Sequence, residues 1–188
     1  MRKNPLSCPC GTKRGLWQIP LVELAGFALG LAGMALVGWS WLALPLIIGL
    51  GLLPAIALVD IRFGVIPDGL NLLIAIAGVA ATALGGEDVA FALITSASLL
   101  GLGLFLALVY SRLRGREMLG LGDVKFFAAA GLWLQPMMAP WFLALAGGAG
   151  VIFSIAWRIA GGGKESPFAP SLCLALAACV FIQLARMQ

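Results

Sequence analysis

The stretch GLGDVKFFAAAGLWL, Gly120 to Leu134, decides how this sequence is read, because it looks like a membrane span and is too short to be one. A helix rises 1.5 Å per residue and needs about 20 apolar residues to cross the hydrocarbon core. The run from Val124 to Leu134 supplies about 16 Å of helix, roughly half a crossing. It also opens with an aspartate behind two glycines, in a chain that otherwise avoids charge. Of the 188 residues, 62% are hydrophobic and 11% charged, and the mean hydropathy is +1.06, far above soluble globular domains. The expected fold is therefore all-α, a polytopic membrane helical bundle of six to seven transmembrane helices.

Working outward, apolar segments of spanning character lie at about 20–38, 42–59, 68–84, 89–110, 124–135, 137–157 and 167–185. Seven spans fit best and six is the alternative, with the short fifth either extended through its glycine turn or only partly inserted. Residues 1–18 form a polar N-terminal extension and 19–188 one membrane-embedded domain. The opening MRKNPLSCPCGTKRG has no short apolar region ending in a cleavage site, so no removable signal peptide is expected. With seven spans, Arg2, Lys3, Lys13, Arg14, Arg62, Arg112, Arg114, Arg116, Lys125, Arg158 and Lys164 fall on one side and Arg186 on the other. The positive-inside rule makes that side the cytoplasm. The net charge of +4 is dispersed among these topology signals, so nucleic acid is not an expected partner and membrane lipid is. Small residues in GFALGLAG and LAGGAG allow close helix approach.

The sequence has no histidine, which removes Ser-His-Asp and Cys-His nucleophiles, His-ligated zinc and His-held haem. Cys173 and Cys179 are six apart in an apolar segment and read as small fillers. Cys8 and Cys10 form CxC with no second pair at zinc-ribbon spacing, a weak zinc site at most, and no metal or other cofactor is expected.

Three aspartates then stand out. Asp60 closes the second span, Asp68 opens the third and Asp123 opens the fifth, all at the same predicted face. Each has a plain structural reading. Asp68 and Asp123 suit helix caps, and Asp60 could pair with Arg62. Ionisable groups at a bilayer nonetheless usually mark function or pairing, and these flank the breaks DIRFGVIPD and SRLRGREMLGLG. Two carboxylates brought close share a proton, so one can activate water while the other polarises an amide carbonyl. That is aspartic peptidase chemistry.

The residues here reach a resemblance. Asp60 with Pro67-Asp68, followed by Gly120-Leu121-Gly122-Asp123 and Lys125, resembles the type IV prepilin peptidases, bacterial GxGD intramembrane aspartic peptidases. Pro20-Leu21-Val22-Glu23-Leu24, Glu117-Met118-Leu119 and Pro167-Phe168-Ala169-Pro170 resemble segments at the same places in that family. The resemblance implies that Asp60 and Asp123 are the catalytic dyad and Asp68 a supporting carboxylate, a cap. Lys125 would orient Asp123 or snorkel to the interface. Gly120 and Gly122 would let the backbone bring Asp123 near Asp60, through conformations closed to other residues. The implied reaction removes a basic leader, after a glycine and before an apolar helix, from type IV prepilins or type II secretion pseudopilins. It takes place at the cytoplasmic face of the bacterial inner membrane. Ser7-Cys8-Pro9-Cys10-Gly11 resembles the tail of a cysteine-rich insertion linked in the family to N-methylation, but the first cysteine pair is absent. The expectation is a peptidase alone, or one whose methylation has been lost or is supplied elsewhere. A small proton-coupled carrier and a non-catalytic pilus or secretion assembly factor are the competing classes.

Overall fold

The computed structural model describes residues 18–38, 40–114, 120–161 and 166–186. Among these run seven α-helices: α1 (Gln18–Val37), α2 (Ala43–Phe63), α3 (Asp68–Leu84), α4 (Val89–Arg114), α5 (Leu121–Gly131), α6 (Ala139–Ile159) and α7 (Ala169–Arg186). No strand occurs among the described residues. The segments Ala43–Phe63, Val89–Arg112, Pro136–Ile159 and Ala169–Arg186 are long and apolar enough to cross a membrane, and Leu21–Val37 and Asp68–Leu84 are shorter apolar helices. The chain is thus the helical membrane bundle that its composition predicts. Cys8 and Cys10, with the rest of the N-terminal extension, lie outside the described residues.

The fifth helix departs from its predicted bounds at both ends. It starts at Leu121, taking in the glycine turn, and stops at Gly131, so its 11 residues still cover about 16 Å. The chain tightens beyond it, because Leu132, Trp133 and Leu134 donate their N–H groups three residues back, to Ala129, Ala130 and Gly131 at 3.3, 3.0 and 3.4 Å. Pro136 then prevents any continuation, and Gln135 before it is extended, with ψ 149°.

A helix ending inside a bilayer must still satisfy its last carbonyls. Neighbouring side chains finish that work. Ser96 on α4 donates its hydroxyl to the Ala128 carbonyl at 2.7 Å, and Thr82 on α3 donates to the Leu132 carbonyl at 2.9 Å. Trp133 returns the bond by donating its indole N–H to the Ile74 carbonyl at 2.9 Å. The indole fits because α2 and α3 present Gly49 and Gly78 to it, where any side chain would overlap the ring.

Around α5 the helices form one core. Phe127 meets Phe142 of α6 edge to face, with centroids 5.9 Å apart, and Phe126, Phe142, Leu172 and Leu176 are fully buried. α1 lies against α2 through Gly26, Gly30 and Gly33, the glycines of GFALGLAG, which face Gly51, Ile47 and Leu50. In LAGGAG only Gly150 serves packing, beneath the Phe168 ring, whereas Gly147 and Gly148 face open space.

The two kinds of glycine should separate in a stability measurement. Gly49→Ala places a methyl group inside the indole of Trp133 and is expected to cost about 1–3 kcal/mol, the usual range for overpacking. Gly147→Ala should stay within about 0.5 kcal/mol of the parent, as substitutions on open faces do. Thermal unfolding of the purified protein in detergent compares the two, and equal effects would contradict the wedge assignment.

Candidate active site

Every acidic residue singled out from the sequence gathers at one end of the bundle, where α2 and α4 finish and α3, α5 and α7 begin. The chain turns there because Gly64 ends α2 in the left-handed conformation, φ 64°, a geometry glycine adopts without strain, and its N–H closes on the Asp60 carbonyl at 2.8 Å. Pro67 then sets the extended residue from which α3 starts.

Asp60, on the last turn of α2, is only 6% exposed. Its Oδ2 accepts the Ala169 backbone N–H at 2.9 Å, and the Phe168 N–H also binds this carboxylate. The first N–H groups of a helix have no partner within it, and the helix dipole makes that end favourable to negative charge. Asp60 therefore caps α7 from another helix, 109 residues away in sequence. The segment Pro167-Phe168-Ala169-Pro170 finds its structural purpose in presenting these donors. The Phe168 ring is seated on Gly150, and Ser166 is joined to Ser154 of α6 by a 2.7 Å hydroxyl contact.

Asp123 stands at the third position of α5, where a side chain can reach back to the start of its own helix. It does so, accepting the Gly120 N–H. Burial first and the negative charge of Asp60 second raise its carboxyl from the ordinary 3.8 to about 6, against the lowering effect of the Gly120 bond. The two acids are thus close enough to influence one another's protonation.

The supporting residues differ from expectation in their roles. Asp68 does not cap α3: Pro67 holds the cap position, and no side-chain cap bond forms. As the first helical residue, Asp68 reaches across to Lys125 of α5, Nζ to Oδ1 at 2.7 Å. The lysine ammonium is thereby directed to Asp68. Both side chains are largely exposed, so water screens the pair and its direct contribution to stability is small. Neither Gly120 nor Gly122 has a positive φ, so an unusual backbone conformation is not what they supply. Gly122 supplies proximity instead. A Cβ there would stand 3.2 Å from the Ile66 Cβ, tighter than ordinary packing, so its absence lets α5 approach the 64–67 turn.

Two residues near the acids escaped the sequence reading. Cys173, read as filler, is buried and free as expected, but its thiol lies against the Ala57 backbone and within the electric influence of both Asp60 and Asp123. It stands one helical turn beyond Ala169, the residue that binds Asp60. Asn71 of α3 is 5% exposed and donates its amide to the Gly122 carbonyl at 3.3 Å. An asparagine inside an apolar segment, one turn after Asp68, was the available signal for it. Among the described residues no three His, Cys, Asp or Glu side chains converge as a group able to hold a metal.

Comparison with known proteins gives this geometry a context. Residues 47–155, which include both Asp60 and Asp123, match the family described as the type IV leader peptidase family. A prepilin leader peptidase/N-methyltransferase of Burkholderia pseudomallei is 33% identical over 180 residues, 92% of this chain and 57% of its own length. A protein of the same description from Neisseria gonorrhoeae is 30% identical over 168 residues, 87% of this chain and 57% of its own. This chain therefore spans little more than half the length of these relatives. No solved structure gives a significant match. With more than half its residues matched, from the second turn of α2 to the last turns of α6, the chain belongs to the type IV leader peptidase family.

Proposed function

We propose that this protein is an aspartic endopeptidase that removes the leader peptide from type IV prepilins or type II secretion pseudopilins, with Asp60 and Asp123 as its catalytic pair. The observation that carries the reading is the coupling of two carboxylates, brought from separate helices to one end of a bundle that belongs to a leader peptidase family.

The chemistry follows from a shared proton. Two neighbouring carboxyls do not ionise together readily, so one proton remains with the pair over a range of pH. The ionised member takes a proton from water, whose oxygen attacks the scissile carbonyl carbon, while the protonated member donates to the carbonyl oxygen. The tetrahedral diol collapses as the C–N bond breaks and the leaving nitrogen takes a proton from the pair. The N–H donors at the start of α7 suit Asp60 to the ionised role, and the elevated carboxyl of Asp123 suits it to the protonated one.

The substrate class suits the surroundings. A prepilin carries a basic leader joined to an apolar helix, and the helix can rest in the lipid beside the bundle while the junction reaches the acids. Arg62, Arg112, Lys125 and Arg158 belong to the acid end of the bundle and Arg186 to the other, which supports a cytoplasmic orientation for the acids. The acid pair offers nothing to methyl transfer, so the proposal is confined to hydrolysis.

Two measurements test it. Co-expressed with a prepilin, Asp60→Asn and Asp123→Asn should each slow leader removal at least about 100-fold, the contribution expected of a general acid or base. Wild-type processing by either variant would remove that residue from the pair. The second is a titration of the Asp123 carboxyl by infrared difference spectroscopy. Asp60→Asn deletes the neighbouring charge, so the transition should move below about 6 yet stay above 3.8 because burial remains. The raised value also fixes the sign for stability: the contribution of Asp123 to folding is fully present below about 3.8 and is lost as the pH rises through about 6.

A further inference from the structure

Beside the acid pair, the buried side chain of Asn71 is only partly used. Asn71 is 5% exposed, its Nδ2 donates to the Gly122 carbonyl at 3.3 Å, and its Oδ1 is buried with no hydrogen-bond partner. A buried amide that spends only one of its groups carries a desolvation cost, so its retention calls for a reason other than packing. Turning the amide over would set Oδ1 against the Gly122 oxygen, so the orientation is fixed by chemistry.

The acceptor is in a telling place. Gly122 immediately precedes Asp123, and its carbonyl shares a peptide plane with the Asp123 N–H, which donates to the Gly120 carbonyl at 3.0 Å. A bond to that carbonyl therefore acts on the backbone that carries the acid. Asp68 and Asn71 are three apart on one face of α3, and their partners Lys125 and Gly122 are three apart on one face of α5. The two helix starts are joined by two rungs, one exposed and ionic, one buried and neutral. Gly122 is also pressed on Ile66, which is 4% exposed, so the first turn of α5 is held from two directions.

Resting on the reading of Asp123 as a catalytic acid, we infer that Asn71 is a positioning residue that fixes the first turn of α5, and with it the Asp123 carboxyl, against the end of α2 that carries Asp60. Of the two rungs Asn71 is the effective one, since water competes for the Asp68–Lys125 pair and is excluded from the amide. Other charged or titratable groups near this end are Arg62 with Asp60 on α2, Tyr110 and Arg112 on α4, and Cys173 on α7. Asn71 binds the carbonyl of the peptide that carries the Asp123 N–H, so a change at Asn71 acts on Asp123 through the backbone.

The test uses the full chain with Asn71→Leu, which keeps the volume, removes the unpartnered oxygen and breaks the rung, and with Asp68→Ala as the exposed-rung control. Leader removal from a purified prepilin is followed across pH, and the Asp123 carboxyl is titrated without substrate. Asn71→Leu should lower kcat at least 10-fold with KM changed less than twofold. The Asp123 transition should move down from about 6 as the acid drifts from Asp60 and gains water, while Asp68→Ala leaves that transition in place. An unmoved transition in Asn71→Leu overturns the proposal, even if activity falls, because a carboxyl that keeps its native titration has kept its place beside Asp60 without the Asn71 bond. A transition that moves while Asp123→Asn still cleaves at the wild-type rate keeps the positioning and discards Asp123 as a catalytic residue. A structural failure of Asn71→Leu is met by Asn71→Ala, which removes both amide groups without adding bulk and should move the transition in the same direction.

Discussion

A helix that stops half-way across a bilayer leaves its last carbonyls where water cannot reach them, and each one left unpaired costs several kcal/mol. α5 ends among buried side chains, and its last carbonyls meet the same constraint. The carbonyls of Ala128 and Leu132 take hydroxyls from Ser96 and Thr82, and those of Ala129, Ala130 and Gly131 take the backbone N–H groups of the tightened turn that follows. The donors come from two different helices, so satisfying the end of α5 also fixes α3 and α4 around it. Trp133 completes the arrangement by filling the glycine gaps of α2 and α3 and donating back to Ile74.

The opposite end of α5 is organised by the same physics with the signs reversed. A helix start offers N–H groups that want an acceptor, and here carboxylates supply it: Asp123 for its own helix and Asp60 for α7. The capping role and the proposed catalytic role are therefore not alternatives. The donors that stabilise a carboxylate at a helix start also fix where it points. Burial and the second carboxylate then supply the reluctance to ionise that a shared proton needs.

How much of this could be read in advance depended on the kind of force involved. The bundle was legible because apolar run length is imposed by the bilayer residue by residue, and the anomaly at 124–134 was legible for the same reason. The acids were legible because charge is costly in such a chain. The pairing of Lys125 with Asp68 was not, since a lysine two places from Asp123 suggests a local partner, and only the approach of α3 to α5 reveals the distant one. Nor was the use of Gly122, because sequence does not separate a glycine needed for its backbone angles from one needed for space, and here the requirement is contact with Ile66. Asn71 and Cys173 were hidden by their surroundings, looking respectively like a stray polar residue and a filler until α3 and α7 brought them beside the acids.

These ties make the depth of Asp123 a property of the whole helix rather than of its own turn. α5 is short enough to behave as a rod, clamped at one end by Trp133, Thr82 and Ser96 and at the other by Asn71 and the press of Ile66 on Gly122. The contacts of Asn71 and Ile66 hold the turn that carries Asp123, whereas Asp60 is held by the start of α7. The pair is thus assembled within one core, Asp123 by the packing of α5 on α3 and α4 and Asp60 by that of α7 on α2 and α6. A peptide entering between them would find each carboxyl backed by its own rigid support, which is the preorganisation that proton transfer at a fixed site requires.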